Sequence, residues 1–215
     1  GHKKRNKTTY RNVQKIFAVS DIHGNYEIFE RLLKKCGIID DNLNWIWGKG
    51  HLVINGDIFD RGDRVFDCLW LIYKIETQAE KSGGMVHFLL GNHEVMIVAD
   101  NQKSYVHEKY ILPCAKLGID YHDFFKKEYI LGRWIRMKKV AIKINDILFV
   151  HGGIPPEFVT SGQSIDKMNQ AIFEYITRPA DESRQFNPDD IAIQPVWYRG
   201  YFDNGNMENV IREQL

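Results

Sequence analysis

Short apolar runs alternate along this chain with stretches of helical periodicity. Ile16-Phe17-Ala18-Val19 has the length of a buried strand and closes on the polar Ser20-Asp21-Ile22-His23-Gly24. Apolar Ile28, Phe29, Leu32 and Leu33 follow, predicting a helix that ends near Cys36 with Gly37 as its C-cap. Residues 40–50 form a loop or hairpin carrying Trp45 and Trp47. Leu52-Val53-Ile54 then predicts a second strand, and Val65, Leu69, Ile72 and Ile75 a second helix stopped by Ser82-Gly83-Gly84. Residues 85–90 are the third strand. The second strand runs into Gly56-Asp57-Ile58-Phe59-Asp60-Arg61-Gly62 and the third into Gly91-Asn92-His93-Glu94. In open α/β sheets ligands gather beyond the carboxyl ends of the strands, so these polar loops are expected to converge on one crevice.

Residues 95–137 keep a mostly helical pattern with aromatic positions such as Tyr105, Tyr110, Phe124, Phe125 and Trp134, and are expected to be a helical insertion beside the crevice. His107 and His122 lie there without a partner at ligand spacing and are taken as ordinary polar positions. Residues 140–144 and 147–150 flank Asn145-Asp146, a two-residue turn that closes a β-hairpin. This change from crossover to hairpin predicts a second, partly antiparallel sheet whose last strand delivers His151-Gly152-Gly153. Residues 165–176 are a predicted helix, 178–190 a polar loop, 195–200 a mixed segment and 207–215 the start of a further helix.

The length of 215 residues suits one domain, expected over 10–215 with a solvated basic tail over 1–9. A formal charge of +1 points to neither nucleic acid nor a membrane surface as partner. No apolar run approaches the roughly 20 residues of a membrane span, and no hydrophobic segment follows the basic start. The compartment is left open: cytoplasmic, or periplasmic if a signal has been removed. Cys36, Cys68 and Cys114, odd in number and widely spaced, make neither a disulfide framework nor a metal knuckle.

Asp57, Asp60, Arg61 and Asp63 are more charge than a structural turn needs, and their mutual repulsion calls for a bound cation or anion. Together the strand-end loops offer Asp21 and His23, then Asp57 with Asp60 and Arg61, then Asn92 and His93, then His151. Carboxylate, imidazole and amide without thiolate suit Mn²⁺, Fe²⁺ or Zn²⁺, with Mn²⁺ favoured. A carboxylate shared by two divalent ions lets them clamp both the attacking and leaving oxygens of a displacement at phosphorus, and Asp57 is the candidate bridge.

Ser-Asp-Ile-His-Gly, Gly-Asp-Ile-Phe-Asp-Arg-Gly, Gly-Asn-His-Glu and His-Gly-Gly, in this order, resemble the signature of the phosphoprotein phosphatases within the calcineurin-like metallophosphoesterases. Ser20 and the downstream Trp-Tyr-Arg-Gly-Tyr lean towards the Shewanella-like bacterial branch. The resemblance implies an α/β fold, a two-sheet αββα sandwich with a dinuclear site at its edge. It implies one metal on Asp21, His23 and Asp57 and a second on Asp57, Asn92 and His151. It gives Arg61 and Asn92 the substrate phosphate, and makes His93, oriented by Asp60, the acid that protonates the leaving alcohol. Arg199 is expected as a second phosphate clamp. The implied reaction is hydrolysis of phosphomonoesters on protein or peptide side chains by metal-bridging hydroxide, without a phosphoenzyme.

One departure from the family pattern stands out. A further histidine ordinarily follows the His-Gly-Gly motif, and none follows His151 here. The expectation is that the chain is a fragment, truncated at its C-terminus before a further strand. Two other readings are kept: hydrolysis of dinucleoside polyphosphates, and a non-catalytic metal-binding module. Side-chain preference, native metals and oligomeric state stay open.

Overall fold

A computed structural model describes residues 7–100, 105–178 and 192–200. The helix expected over 207–215 and the polar loop beyond Arg178 lie outside the described residues. Strand β1 (Thr9–Tyr10) is followed by β2 (Ile16–Val19), helix α1 (Tyr26–Lys35), β3 (His51–Asn55), α2 (Val65–Lys81) and β4 (Met85–Leu89). Strands β2, β3 and β4 form a parallel sheet with β3 in the middle.

Helix α3 (Asn92–Val95) runs on into a π turn over Met96–Asp100. Then come α4 (Glu108–Leu117), a 3₁₀ turn (Tyr121–Phe125) and α5 (Ile130–Arg136). The hairpin β5 (Ala141–Ile144) and β6 (Ile147–Val150) is antiparallel, with Asn145 at φ +53° in its turn. It makes a second sheet with β1, which pairs parallel to β5. Helices α6 (Pro156–Thr160), α7 (Ile165–Thr177) and α8 (Gln194–Trp197) follow. The chain thus has the two-sheet α/β architecture that its sequence pattern implies.

Strand β3 shows why the sheets stack. Successive side chains point to opposite faces, so Leu52 and Ile54 enter the core under α1 and α2 while Val53 enters a second core between the sheets, with Tyr10, Leu89, Ile142 and Ile144. Burial on both faces explains its unbroken apolar run. On α2 the predicted Leu69, Ile72 and Ile75 are all buried. On α1 the buried stripe is Tyr26, Phe29 and Leu33, whereas Ile28 is turned to solvent.

Thr8 and Thr9, within the expected tail, are held by the second sheet. The Lys143 N–H donates to the Thr8 carbonyl at 2.8 Å, and the Thr8 hydroxyl donates to Asp166 at 2.6 Å. A two-residue strand is too short to show a period, so pairing with β5 rather than local pattern fixes it.

The ends of the two sheets are joined at Asn55, the last residue of β3. Its side-chain amide donates to the Val150 carbonyl at 2.9 Å, tying it to the end of β6. Its own carbonyl accepts from His151 Nδ1 at 2.7 Å and lies 2.9 Å from the Ser20 hydroxyl. Three polar corners are thereby brought to one place.

Candidate active site

The site is built where β2, β3, β4 and β6 end. Gly56 follows β3 at φ +85°, and a Cβ there would meet Gly91 N at 2.6 Å and His151 Nδ1 at 2.8 Å, so only glycine lets the corners approach. Left-handed backbone marks the same loops. Asp21, His23, Asp57, Asp60 and Arg61 have φ between +47° and +69°, and they are five of the eight non-glycine residues with positive φ among the described residues. Such conformations cost about 1 to 3 kcal/mol each and persist where surrounding structure enforces them.

Asp57, 3% exposed, stands at the centre. Its Oδ2 lies 3.4 Å from His151 Nε2, 3.6 Å from His23 Nε2 and 3.9 Å from His93 Nε2. Each ring is held from behind. His23 Nδ1 lies 2.7 Å from the Phe59 carbonyl, and His151 Nδ1 is on the Asn55 carbonyl. Donation from Nδ1 leaves each Nε2 lone pair facing inward, the tautomer that a metal-ligating imidazole adopts. His93 Nδ1 makes a 2.6 Å bond to Asp60 Oδ2, which is buried with it.

Asn92 Oδ1 is 3.0 Å from His151 Nε2, and exposed Asp21 Oδ1 is 3.9 Å from His23 Nε2. Burial works against a charged His93 ring, but the Asp60 hydrogen bond and the charges of Asp57, Asp60 and Glu94 outweigh it and raise its pKa above the ordinary histidine value.

The two predicted arginines sit at the rim. Arg61 is exposed, and its backbone N–H donates to the Tyr105 carbonyl at 2.9 Å. Arg199 is exposed too, with Nη1 on the Tyr198 carbonyl at 3.0 Å. It lies next to the His151 loop, since a Cβ on Gly152 would come within 2.9 Å of that nitrogen. The structure therefore brings Asp21, His23, Asp57, Asp60, Asn92, His93 and His151 together, with Arg61 and Arg199 on the edge.

Sequence reasoning gave no role to Glu94 or Asn55. Glu94 is fully buried. Its Oε2 accepts the N–H groups of Asp57 at 2.8 Å and Gly91 at 2.7 Å, and its Oε1 accepts those of Ile58 at 2.8 Å and Phe59 at 3.4 Å. Burial and the Asp57 charge push its pKa up, opposed by these donors. The signal available beforehand was an acid three residues into a loop that needs its backbone amides satisfied.

Among the described residues two groupings have ligand atoms within 4.8 Å of one another, close enough to share a metal ion: His23, Asp57 and His93, and Asp21, Asp57 and His151. Both contain Asp57, the expected bridge, and His23 Nε2 lies within 3.9 Å of both Asp21 and Asp57, the three residues expected to share one ion. The donor set fits cations. His23 Nε2 is buried without a hydrogen-bond partner and faces a carboxylate.

Residues 14–210 match the family described as calcineurin-like phosphoesterase. The chain belongs to that family. Among its curated relatives, this calcineurin-like phosphoesterase is 34% identical to Shewanella-like protein phosphatase 1 of Plasmodium berghei, over 72% of this chain and 42% of the relative. It is 28% identical to Shewanella-like protein phosphatase 2 of Arabidopsis thaliana, over 70% of this chain and 36% of the relative. It superposes on the cold-active protein-tyrosine phosphatase of a psychrophilic Shewanella species with a TM-score of 0.87 and 37% identity, covering 97% of this chain and 65% of that one. The matched stretch thus covers less than half the length of these two curated relatives. Centres in this family are typically dinuclear, in keeping with two groupings that share one carboxylate.

Proposed function

We propose that this calcineurin-like phosphoesterase is a metal-dependent phosphoprotein phosphatase. The observation that carries the proposal is Asp57: three imidazole Nε2 atoms lie within 3.4 to 3.9 Å of one of its oxygens, each ring braced through Nδ1. That is a site prepared for cations, and relatives named as protein phosphatases support the substrate class.

In this reading Asp21, His23, Asp57, Asn92 and His151 hold two divalent ions, manganese favoured. Such a pair supplies a nucleophile from water at neutral pH and neutralises charge on the phosphoryl oxygens. Arg61, joined by Arg199, holds the phosphate dianion, whose oxygens a planar guanidinium fork matches in pairs. Asn92 adds a hydrogen bond to the same group. His93, kept charged by Asp60, gives its Nε2 proton to the leaving side-chain oxygen as the bond to phosphorus breaks. No covalent phosphoenzyme is formed.

The test is turnover of a phosphopeptide, an aryl phosphate and diadenosine tetraphosphate by manganese-loaded protein, with metal content measured on the same sample. Faster turnover of the phosphopeptide supports the reading. A marked preference for the tetraphosphate, or bound metal with no turnover of any of the three, overturns it.

A further inference from the structure

The rings that touch His93 are unequal. On one side the His23 ring lies 4.8 Å away, centroid to centroid, and is 5% exposed. On another the Tyr105 ring lies 5.3 Å away at 67°, and it is 51% exposed. Tyr105 is also fixed to the phosphate-clamp loop, because its carbonyl accepts the Arg61 N–H at 2.9 Å. One exposed aromatic ring therefore lies against the proposed proton donor, on a residue whose backbone is bonded to that of the proposed phosphate clamp.

We propose that Tyr105 is a specificity-determining residue of this site, its ring forming the wall against which the phenyl ring of a phosphotyrosine side chain packs. The inference rests on the phosphomonoester reading of the site. The oxygen that His93 protonates carries the leaving group, so the atoms bonded to it lie within a few ångströms of the imidazole. The His23 side is closed by buried protein, which leaves the exposed Tyr105 side for the leaving group. In phosphotyrosine that oxygen is attached directly to a phenyl ring, which meets Tyr105 in an offset or edge-to-face contact. In phosphoserine it is attached to a single methylene, and the peptide backbone follows before any apolar surface can be matched.

The contact is assigned to binding, so the experiment reads binding without turnover. Two peptides of one sequence are titrated calorimetrically into manganese-loaded protein. One carries phosphonomethylphenylalanine and the other the phosphonate analogue of phosphoserine. Tyr105→Leu is expected to weaken the aryl peptide about three- to tenfold, the size of one aromatic contact, and to leave the alkyl peptide within about twofold of the parent value. Tyr105→Phe, which keeps the ring, is expected to bind both as the parent does. Equal weakening of both peptides by the leucine variant would make Tyr105 a packing partner of His93 and overturn the assignment, as would no change for either. If the parent protein takes up neither phosphonate, the phosphomonoester reading itself falls, an outcome distinct from the other two.

Discussion

Glu94 carries the backbone of Asp57: a carboxylate with no solvent exposure accepts the Asp57 N–H at 2.8 Å and, with its two oxygens, three more amides of the converging loops. The left-handed turn at Asp57 is thereby set by a residue whose two oxygens are both taken up by backbone N–H groups. Glu94→Gln puts an amide NH₂ where an oxygen accepted N–H donors, and leaves two of them buried and unpaired. We expect metal affinity to fall about 10- to 100-fold and stability by about 1 to 3 kcal/mol. Calorimetric metal titration and urea unfolding of the metal-free protein measure the two effects separately. Unchanged affinity would show that the loops hold Asp57 without it.

His93 and Asp60 are expected to act as one unit, joined by the 2.6 Å bond between them. His93→Asn should lower kcat roughly 10² to 10⁴-fold while metal content stays at the parent level. The loss should be smaller for p-nitrophenyl phosphate, whose leaving oxygen needs little protonation, than for an alkyl phosphate. Asp60→Asn should follow the same pattern, and the double variant should lose little more than either single one. Equal losses for both leaving groups would remove His93 from the proton-transfer step.

Removal of the metal should abolish turnover and also loosen the fold. The carboxylate oxygens of Asp21 and Asp57 lie within 4.8 Å of one another, so bound ions relieve repulsion as well as bind. At a hundredfold excess of free ion over Kd, binding to the folded state alone contributes about 2.7 kcal/mol. Chelation followed by thermal unfolding, then re-addition of Mn²⁺, tests both effects in one sample.

A pH effect is expected far from the site, between the sheets. His87 Nε2 and His51 Nδ1 lie 3.0 Å apart, and the Tyr10 ring packs against both. Burial, with the nearby charges of His51, Lys139 and Lys138, pushes His87 from 6.5 down to about 3. A base whose folded pKa is depressed binds its proton first in the unfolded chain. Its contribution is thus whole above about pH 6.5 and is lost as pH falls towards 3. The full loss is on the order of 5 kcal/mol. Urea unfolding of the parent and His87→Phe at pH 7, 5.5 and 4.5 checks the sign: the variant should lose less stability on acidification. Parallel curves would mean that His87 takes up its proton without unfolding.

Much of this arrangement was legible in the residues. The strand-then-polar-loop grammar, repeated at Ser20-Asp21, Gly56-Asp57 and Gly91-Asn92, named the loops that meet, because a buried strand must end in an apolar-to-polar break and function collects beyond it. The distances between these side chains were not legible. Whether His23 Nε2 lies nearer Asp21 or Asp57 depends on left-handed turns at successive residues, and no side-chain pattern encodes that choice. Glu94 and Asn55 escaped for a related reason: they act on main-chain atoms 3 to 95 residues away, and hydrophobic period says nothing about such partners. The Thr9–Tyr10 strand was hidden by its brevity.

Asn55 lies where one half of the proposed ligand set hands over to the other: Asp21, Asp57 and Asn92 hang from the parallel sheet, His151 from the hairpin, and the amide and carbonyl of Asn55 stitch the margin between them. A cation held from both sides would therefore work as a rivet across a seam between two layers that share an apolar core. Loading should bring the amide exchange rates of the 141–150 hairpin into step with those of the central strand, so that the two layers open as one body and turnover ends at the first separation.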